Sequence, residues 1–238
     1  MTDSVDALSQ QLPLQVSLPE DARLDSLFVE PNDWILNWLM TDWTTGEESS
    51  LFVQSPVGGG LTHLLQAICR QGEDAGQAVF YLSLQGLEAH GPAVLEGMSD
   101  MALLCLDDLD TVLGQPAWDE ALFHLFNDMR ARQHQLVLGS HASLVELRAS
   151  VLPDLHSRLS WGMVVTWKLP DDAGWQRAIH WLARQRGLHI TPETARYLAL
   201  RGPRDWAGMA ALMQQLDRRA LAAQRRLTPP FIRQVMGW

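Results

Sequence analysis

Lysine is almost absent from this 238-residue sequence, where Lys168 stands alone, and cysteine is limited to Cys69 and Cys105. Two cysteines, each set in an apolar run, leave no disulfide framework and fit reduced, buried thiols in a cytosolic protein. No apolar stretch approaches the roughly 18 residues that a bilayer-crossing helix needs. The acidic start, with Asp3 and Asp6, is unlike a secretory signal. Net positive charge is missing as well: the formal charge is −10, which argues against wrapping nucleic acid with the whole surface. No internal repeat runs through the chain.

What remains is apolar and unevenly charged. Hydrophobic residues make up 47% of the chain, enough for a full core in one large domain or in an α/β domain with a smaller companion. Residues 1–170 carry 7 basic against 23 acidic residues, whereas residues 171–238 carry 11 Arg against 5 Asp and Glu. The basic C-terminal piece suits contact with nucleic acid or an acidic partner, or equally a solvated helical surface.

The stretch from Leu51 to Gly72 organises the rest. Leu51-Phe52-Val53 is a short apolar run before glycine and proline, as in a buried parallel strand. Ser55-Pro56-Val57-Gly58-Gly59-Gly60 continues neither strand nor helix. From Leu61 the spacing of Leu61, Leu64, Leu65 and Ile68 is helical. Strand, glycine turn and helix make the layout of a phosphate-binding P-loop, G-x-x-x-x-G-K-[ST], in which backbone amides and the helix N-terminus cradle phosphate. On that template Gly60 is the second glycine, Thr62 the magnesium hydroxyl, and Leu61 stands where lysine belongs. A general drift from Lys to Arg would have kept the charge; here the charge itself is gone. One charge-assisted hydrogen bond is worth about 1.5–3 kcal/mol. The sequence therefore predicts weak binding biased toward diphosphates, with poor or no ATP turnover. A plain glycine turn in an α/β fold is the bland alternative.

A second strand is expected over Ala78–Leu84 and a short helix around Pro92–Gly97. Met101 to Leu106 is an apolar run ending in Asp107-Asp108, the form of a Walker B strand. There the first carboxylate holds Mg²⁺ through water and the second polarises the attacking water; paired acids in a solvent-facing loop would look the same. An amphipathic helix over Trp118–Arg132 precedes a strand over Gln135–Gly139, which ends at Ser140-His141. In Val151–Gly162, Arg158 lies among Leu155, Leu159 and Trp161, and Asp154 is close enough in sequence to pair with it. A fifth strand is expected over Val164–Leu169.

Earlier, Pro31–Trp43 has a helical apolar stripe, and Thr44–Ser50 is a polar linker. Pro170-Asp171-Asp172 marks a domain boundary. Helices are expected over Asp172–Arg186, Pro192–Arg201, Arg204–Gln224 and Pro229–Met236, with Thr191-Pro192 and Thr228-Pro229-Pro230 as start signals. Alternating β and α elements thus give way to a small all-α piece. Residues 1–22 read as a tail without periodicity, interrupted by Pro13 and Pro19. Within it, Gln11-Leu12-Pro13-Leu14-Gln15-Val16 suits docking in a groove on another protein.

This order and its punctuation resemble the AAA+ ATPases of the bacterial initiator DnaA, and more closely the DnaA regulatory inactivator, or Hda, family. The resemblance is carried by Gly58 to Leu65, by Leu106-Asp107-Asp108, by Ser157-Arg158-Leu159-Ser160-Trp161-Gly162 and by Gln224-Arg225-Arg226-Leu227-Thr228. It implies an α/β AAA+ P-loop domain with a five-stranded parallel sheet over 23–170, a helical lid over 171–238 and a flexible tail over 1–22. It implies that Gln11, Leu12, Pro13, Leu14 and Val16 form a peptide for the β sliding clamp of DNA polymerase III, with Gln15 where proline is usual. It makes Arg158 an arginine finger acting in trans on DnaA–ATP. Nucleotide contacts fall on Gly58, Gly59, Gly60, Leu61, Thr62, His63 and Arg204, with Phe28 and Val29 beside the base. Ser140 and His141 stand in the sensor-1 region, where the family has an aspartate. Thr62 and Asp107 are the magnesium positions, and ADP or another nucleoside diphosphate is the expected ligand. The implied protein is a cytoplasmic inhibitor of replication initiation, not an independent ATPase. It reaches DNA indirectly through the clamp, is compatible with homo-oligomers and has no membrane partner. An active helicase-loader-type ATPase and a DNA-binding initiator-like module remain open as alternatives.

Overall fold

The computed structural model describes residue 18, residues 22–41, residue 43 and residues 49–238. The peptide Gln11–Val16, nearly all of the expected tail and most of the expected linker lie outside these residues. The α/β part comprises α1 (Asp33–Thr41), β1 (Ser50–Gln54), α2 (Leu61–Asp74), β2 (Val79–Ser83), β3 (Leu103–Asp107), α3 (Pro116–Ala131), β4 (Gln135–Ser140), α4 (Leu144–Leu147), α5 (Pro153–Leu159) and β5 (Met163–Thr166). The five strands are parallel and ordered β2-β3-β4-β1-β5.

Period-two alternation explains the two layers around the sheet. Phe52, Leu104, Leu106, Leu136 and Leu138 pack toward α3 and α5. Their neighbours Leu51, Val53, Leu103, Cys105 and Val137 pack toward α1 and α2. Every residue of β3 is buried, as an apolar run covered on both faces requires.

The remaining chain folds as four helices, α6 (Asp172–Gln185), α7 (Pro192–Arg201), α8 (Trp206–Ala223) and α9 (Pro229–Met236). Asp171, Thr191 and Asp205 cap the first three by accepting from the amides of Gly174, Thr194 and Gly208, which satisfies donors a helix start leaves unpaired. Trp175, Ile179, Leu198, Met213, Leu216 and Ile232 form a separate core there.

Several boundaries differ from the sequence expectation. The helix expected around 92–97 is a series of 3₁₀ turns, Glu88–His90, Pro92–Leu95 and Met98–Asp100, because Gly91 and Gly97 break it with positive φ. β5 stops at Thr166, and the chain beyond it is held by buried Asn32, whose amide donates to the Lys168 carbonyl (2.8 Å) and accepts from the Lys168 amide (2.9 Å). The helix expected from Arg204 begins at Trp206, since Asp205 is its cap. Residues 151–162 contain α5. Before it, Ser143 and Glu146 form a reciprocal capping box around α4.

Candidate functional site

Strand register brings the ends of β1, β3 and β4 to one edge of the sheet: Gln54 pairs with Ser140, and Leu106 with Leu138. Ligand sites in open parallel sheets lie at such carboxyl edges. The Ser55 amide donates to the Ser140 carbonyl at 3.0 Å, and Gly59 donates to Pro56 across the turn at 2.9 Å. Gly58 and Gly60 take φ of +77° and +86°, a region that side chains disfavour. Gly60 then caps α2. The strand–loop–helix geometry read from sequence is present. Leu61, however, is 1% exposed and packs in the core with Leu64, Leu65 and Val137. His63 lies in the first turn of the same helix.

The two carboxylates that follow β3 have different surroundings. Asp107 is fully buried; its Oδ2 accepts from the Tyr81 hydroxyl (2.9 Å) and its Oδ1 from the Asp108 amide (3.0 Å). Burial raises the Asp107 pKa above the usual carboxylate range, with the Asp108 charge adding to the rise and hydrogen bonds from Thr62, Tyr81 and the backbone opposing it. Burial and the Asp107 charge likewise push the Tyr81 phenol up. Asp108 accepts from Ser83 Oγ at 2.6 Å and has a left-handed φ of 57°. Each Asp107 oxygen thus accepts one protein donor and keeps further acceptor capacity, so Thr62 and Asp107 are the residues that would hold a magnesium ion. Among the described residues, no group of three or more His, Cys, Asp or Glu side chains is placed to hold a metal.

The sensor-1 position joins this network. The Ser140 hydroxyl donates to Ala142 at 2.8 Å and meets Asp110 Oδ1 at 3.3 Å. The His141 amide donates to Asp110 Oδ1 at 2.7 Å. Its ring Nδ1 lies 2.9 Å from the Ser55 carbonyl, and its Nε2 lies 3.6 Å from Asp108 Oδ1. A carbonyl only accepts, so Nδ1 carries a proton there. His141 therefore ties the end of β4 to the glycine loop.

The lid rests directly on that loop. The Trp206 amide donates to the Gly58 carbonyl at 3.0 Å, and Trp167 Nε1 to the Gly59 carbonyl at 3.0 Å. A Cβ at Gly58 would come within 2.5 Å of Asp205 Cβ, and one at Gly60 within 3.1 Å of the Trp206 ring. Phe28 packs on Trp206 and Trp181 with centroids 5.7 and 6.0 Å apart. It thus stands beside the loop through Trp206, whereas Val29 packs in the α1–α2 core. Arg204 points elsewhere: its guanidinium pairs with Asp172 at 2.6 Å, with both side chains exposed.

Arg158 lies at the other edge of the sheet. The chain after α5 passes Gly162, where the Ser50 carbonyl leaves no room for a Cβ, and enters β5 with Met163 paired to Leu51 at the start of β1. The glycine loop follows the far end of β1, about 13 Å away along the strand. Arg158 is half-buried, and its Cζ lies 4.8 Å from the Trp161 ring centroid and 5.7 Å from that of Phe123. The pairing with Asp154 that the sequence allowed is not formed; among the described residues Arg158 makes no ion pair.

Fold and site together define a P-loop protein of the AAA+ class whose loop has lost its cation. The chain belongs to the DnaA-related AAA+ proteins that include Hda: residues 34–166 match the bacterial DnaA ATPase domain and residues 172–236 the Hda lid domain. An uncharacterized protein of Haemophilus influenzae is 31% identical over 230 residues, spanning 97% of this chain and all of that one. Domain III of Thermotoga maritima DnaA shares the fold with a TM-score of 0.76 and 18% identity, over 92% of this chain and 97% of that one. AMPPCP-bound DnaA from Aquifex aeolicus has a TM-score of 0.76 and 22% identity, over 87% of this chain and 68% of that one.

Sequence reasoning overlooked Asp205, Trp206, Trp167 and Tyr81, which hold the site, and Asp119, which positions the Arg158 helix. Buried Asp119 accepts from the Gly114 amide through Oδ1 and from the Leu152 amide through Oδ2, each at 2.9 Å, and so ties the start of α3 to the start of α5. Asp205 alone carried a signal, an acid just before a helix.

Proposed function

We propose that this protein is a negative regulator of chromosome replication initiation that accelerates hydrolysis of the ATP held by DnaA. Arg158 supplies a cation to that nucleotide in trans, and Gln11, Leu12, Pro13, Leu14 and Val16 bind the β sliding clamp, which brings the protein to DNA. One observation carries the reading: an un-neutralised guanidinium at the sheet edge opposite a glycine loop that lacks its own cation. Arg158 is too far along the sheet to serve its own loop, so its use is in a neighbour's site.

When water attacks the γ-phosphate, negative charge spreads over the phosphoryl oxygens and the leaving β-phosphate. A guanidinium placed there stabilises that charge more than it stabilises the bound ground state. In GTPases such fingers are worth about 10³–10⁵ in rate. The protein's own loop keeps the curved backbone of a phosphate cradle and, in this reading, holds ADP or another nucleoside diphosphate as a conformational ligand. No step of the reaction passes through Thr62, Asp107 or a magnesium ion of this chain.

The test is turnover of DnaA-bound ATP with clamp-loaded DNA. The parent protein accelerates it, and Arg158→Ala loses at least about tenfold of the stimulation. Stimulation by Arg158→Ala equal to the parent's would remove the finger role. Steady phosphate release by the protein alone would favour a helicase-loader-type ATPase instead.

A further inference from the structure

We infer that Arg130 is a second cation for the same nucleotide and that Trp161 fixes the spacing between Arg130 and Arg158, making the face a two-guanidinium clamp for the polyphosphate of a nucleoside triphosphate on a partner molecule. This rests on the reading of Arg158 given above.

α3 runs antiparallel to the strands, so its last turn brings Arg130 to the edge where α5 ends. Arg130 Cζ lies 3.3 Å from the Trp161 ring centroid, and Arg158 Cζ lies 4.8 Å from the same centroid. The two charges are therefore no farther apart than about one Debye length, ~8–10 Å. Among the described residues neither arginine is in an ion pair. Two like charges held by one ring repel each other in the isolated chain, and an anion that contacts both relieves that repulsion.

Stacking engages the flat face of a guanidinium and leaves its in-plane N–H donors free for oxyanions. Both arginines can therefore stack on the indole and hydrogen-bond phosphate oxygens together. Trp161 cannot easily move aside: its amide donates to the Arg158 carbonyl at 3.0 Å, and the following Gly162 is wedged against Ser50. Its side chain is nonetheless 50% exposed. A fixed, half-exposed ring that touches two unpaired cations fits a compact polyanion. An extended nucleic-acid backbone is disfavoured by the acidic charge of residues 1–170.

The experiment uses the full chain with ATP-loaded DnaA, clamp and DNA, and measures both maximal turnover and the half-saturating concentration. Arg130→Ala is expected to lower maximal turnover about 10- to 100-fold, the loss of one charge-assisted hydrogen bond, with little change in half-saturation. Arg130→Lys does not restore it, because an ammonium lacks the planar fork. Trp161→Phe retains most turnover and Trp161→Leu loses it, as expected of a positioning residue. Arg130 is exposed, so Arg130→Ala should melt like the parent. Parental turnover by Arg130→Ala overturns the inference, as does a change confined to half-saturation. Salt-dependent duplex binding that Arg130→Ala abolishes without slowing turnover also overturns it, in favour of a nucleic-acid surface. Dependence on Arg158 with a silent Arg130→Ala sinks this inference alone, whereas indifference to Arg158→Ala sinks the finger reading itself.

Discussion

At the end of β3, Asp107 occupies a Walker B position in surroundings that work against its charge. It is buried and lies beside the Asp108 charge, and the hydrogen bonds from Tyr81 and the Asp108 amide offset these only in part. Its pKa in the folded protein lies above the value of about 3.9 in an unfolded chain. The native state therefore binds the proton more tightly than the unfolded one. The resulting stability is fully present below about pH 4 and is lost as pH rises through the elevated native value, at no more than about 1.4 kcal/mol per unit. Asp107→Asn keeps one acceptor for the Asp108 amide and removes the charge. Urea unfolding at several pH values from 4 to 8 should show a decline for the parent above pH 4 that is weaker in Asp107→Asn. Equal slopes would mean that Asp107 titrates alike in both states.

At the level of elements, the start of α8 and the glycine loop form one joint. Trp206 donates to Gly58, its ring faces Gly60, and Asp205 lies against Gly58. Glycine is needed here for two reasons: the turn has positive φ at Gly58 and Gly60, and the lid leaves no space for side chains. Asp205 also places a negative charge beside the phosphate cradle. Asp205→Asn keeps a good helix cap and removes that charge, so mant-ADP should bind about fivefold tighter, a gain of ~1 kcal/mol. Unchanged or weaker binding would show that the carboxylate does not face the phosphates. The short helices α4 and α5 belong to this scale too. They have few residues, and their periodicity is weak beside their tertiary anchors, the Asp119 carboxylate and the hydrogen bond between His156 Nε2 and the Leu144 carbonyl (2.8 Å).

Across the whole molecule the sheet separates two groups of residues. One edge carries the loop, the carboxylates and the lid; the other carries Arg158, Trp161 and Arg130. In the proposed regulator, tethering and chemistry are likewise separate. Gln11→Ala should weaken clamp pull-down roughly tenfold, the loss of one hydrogen bond in a short peptide. Stimulation measured without the clamp should be unaffected. Full clamp binding by Gln11→Ala would place the contact elsewhere in the chain.

The sequence by itself determined the alternation of strands and helices, the glycine loop, the loss of its lysine, the acids after β3 and the helical lid with its Thr191 cap. These are local properties, set by periodicity, backbone freedom and the donors a helix start leaves open. Position 61 is the plainest case, since a leucine after Gly60 removes the cation in any fold. Only the tertiary structure decided that Asp107 is sealed under Tyr81, that Arg204 turns to Asp172, that Trp206 sits on the loop and that Arg130 shares a ring with Arg158. Each depends on residues tens of positions apart meeting across the sheet or the lid joint, and no spacing within a single segment encodes such a meeting.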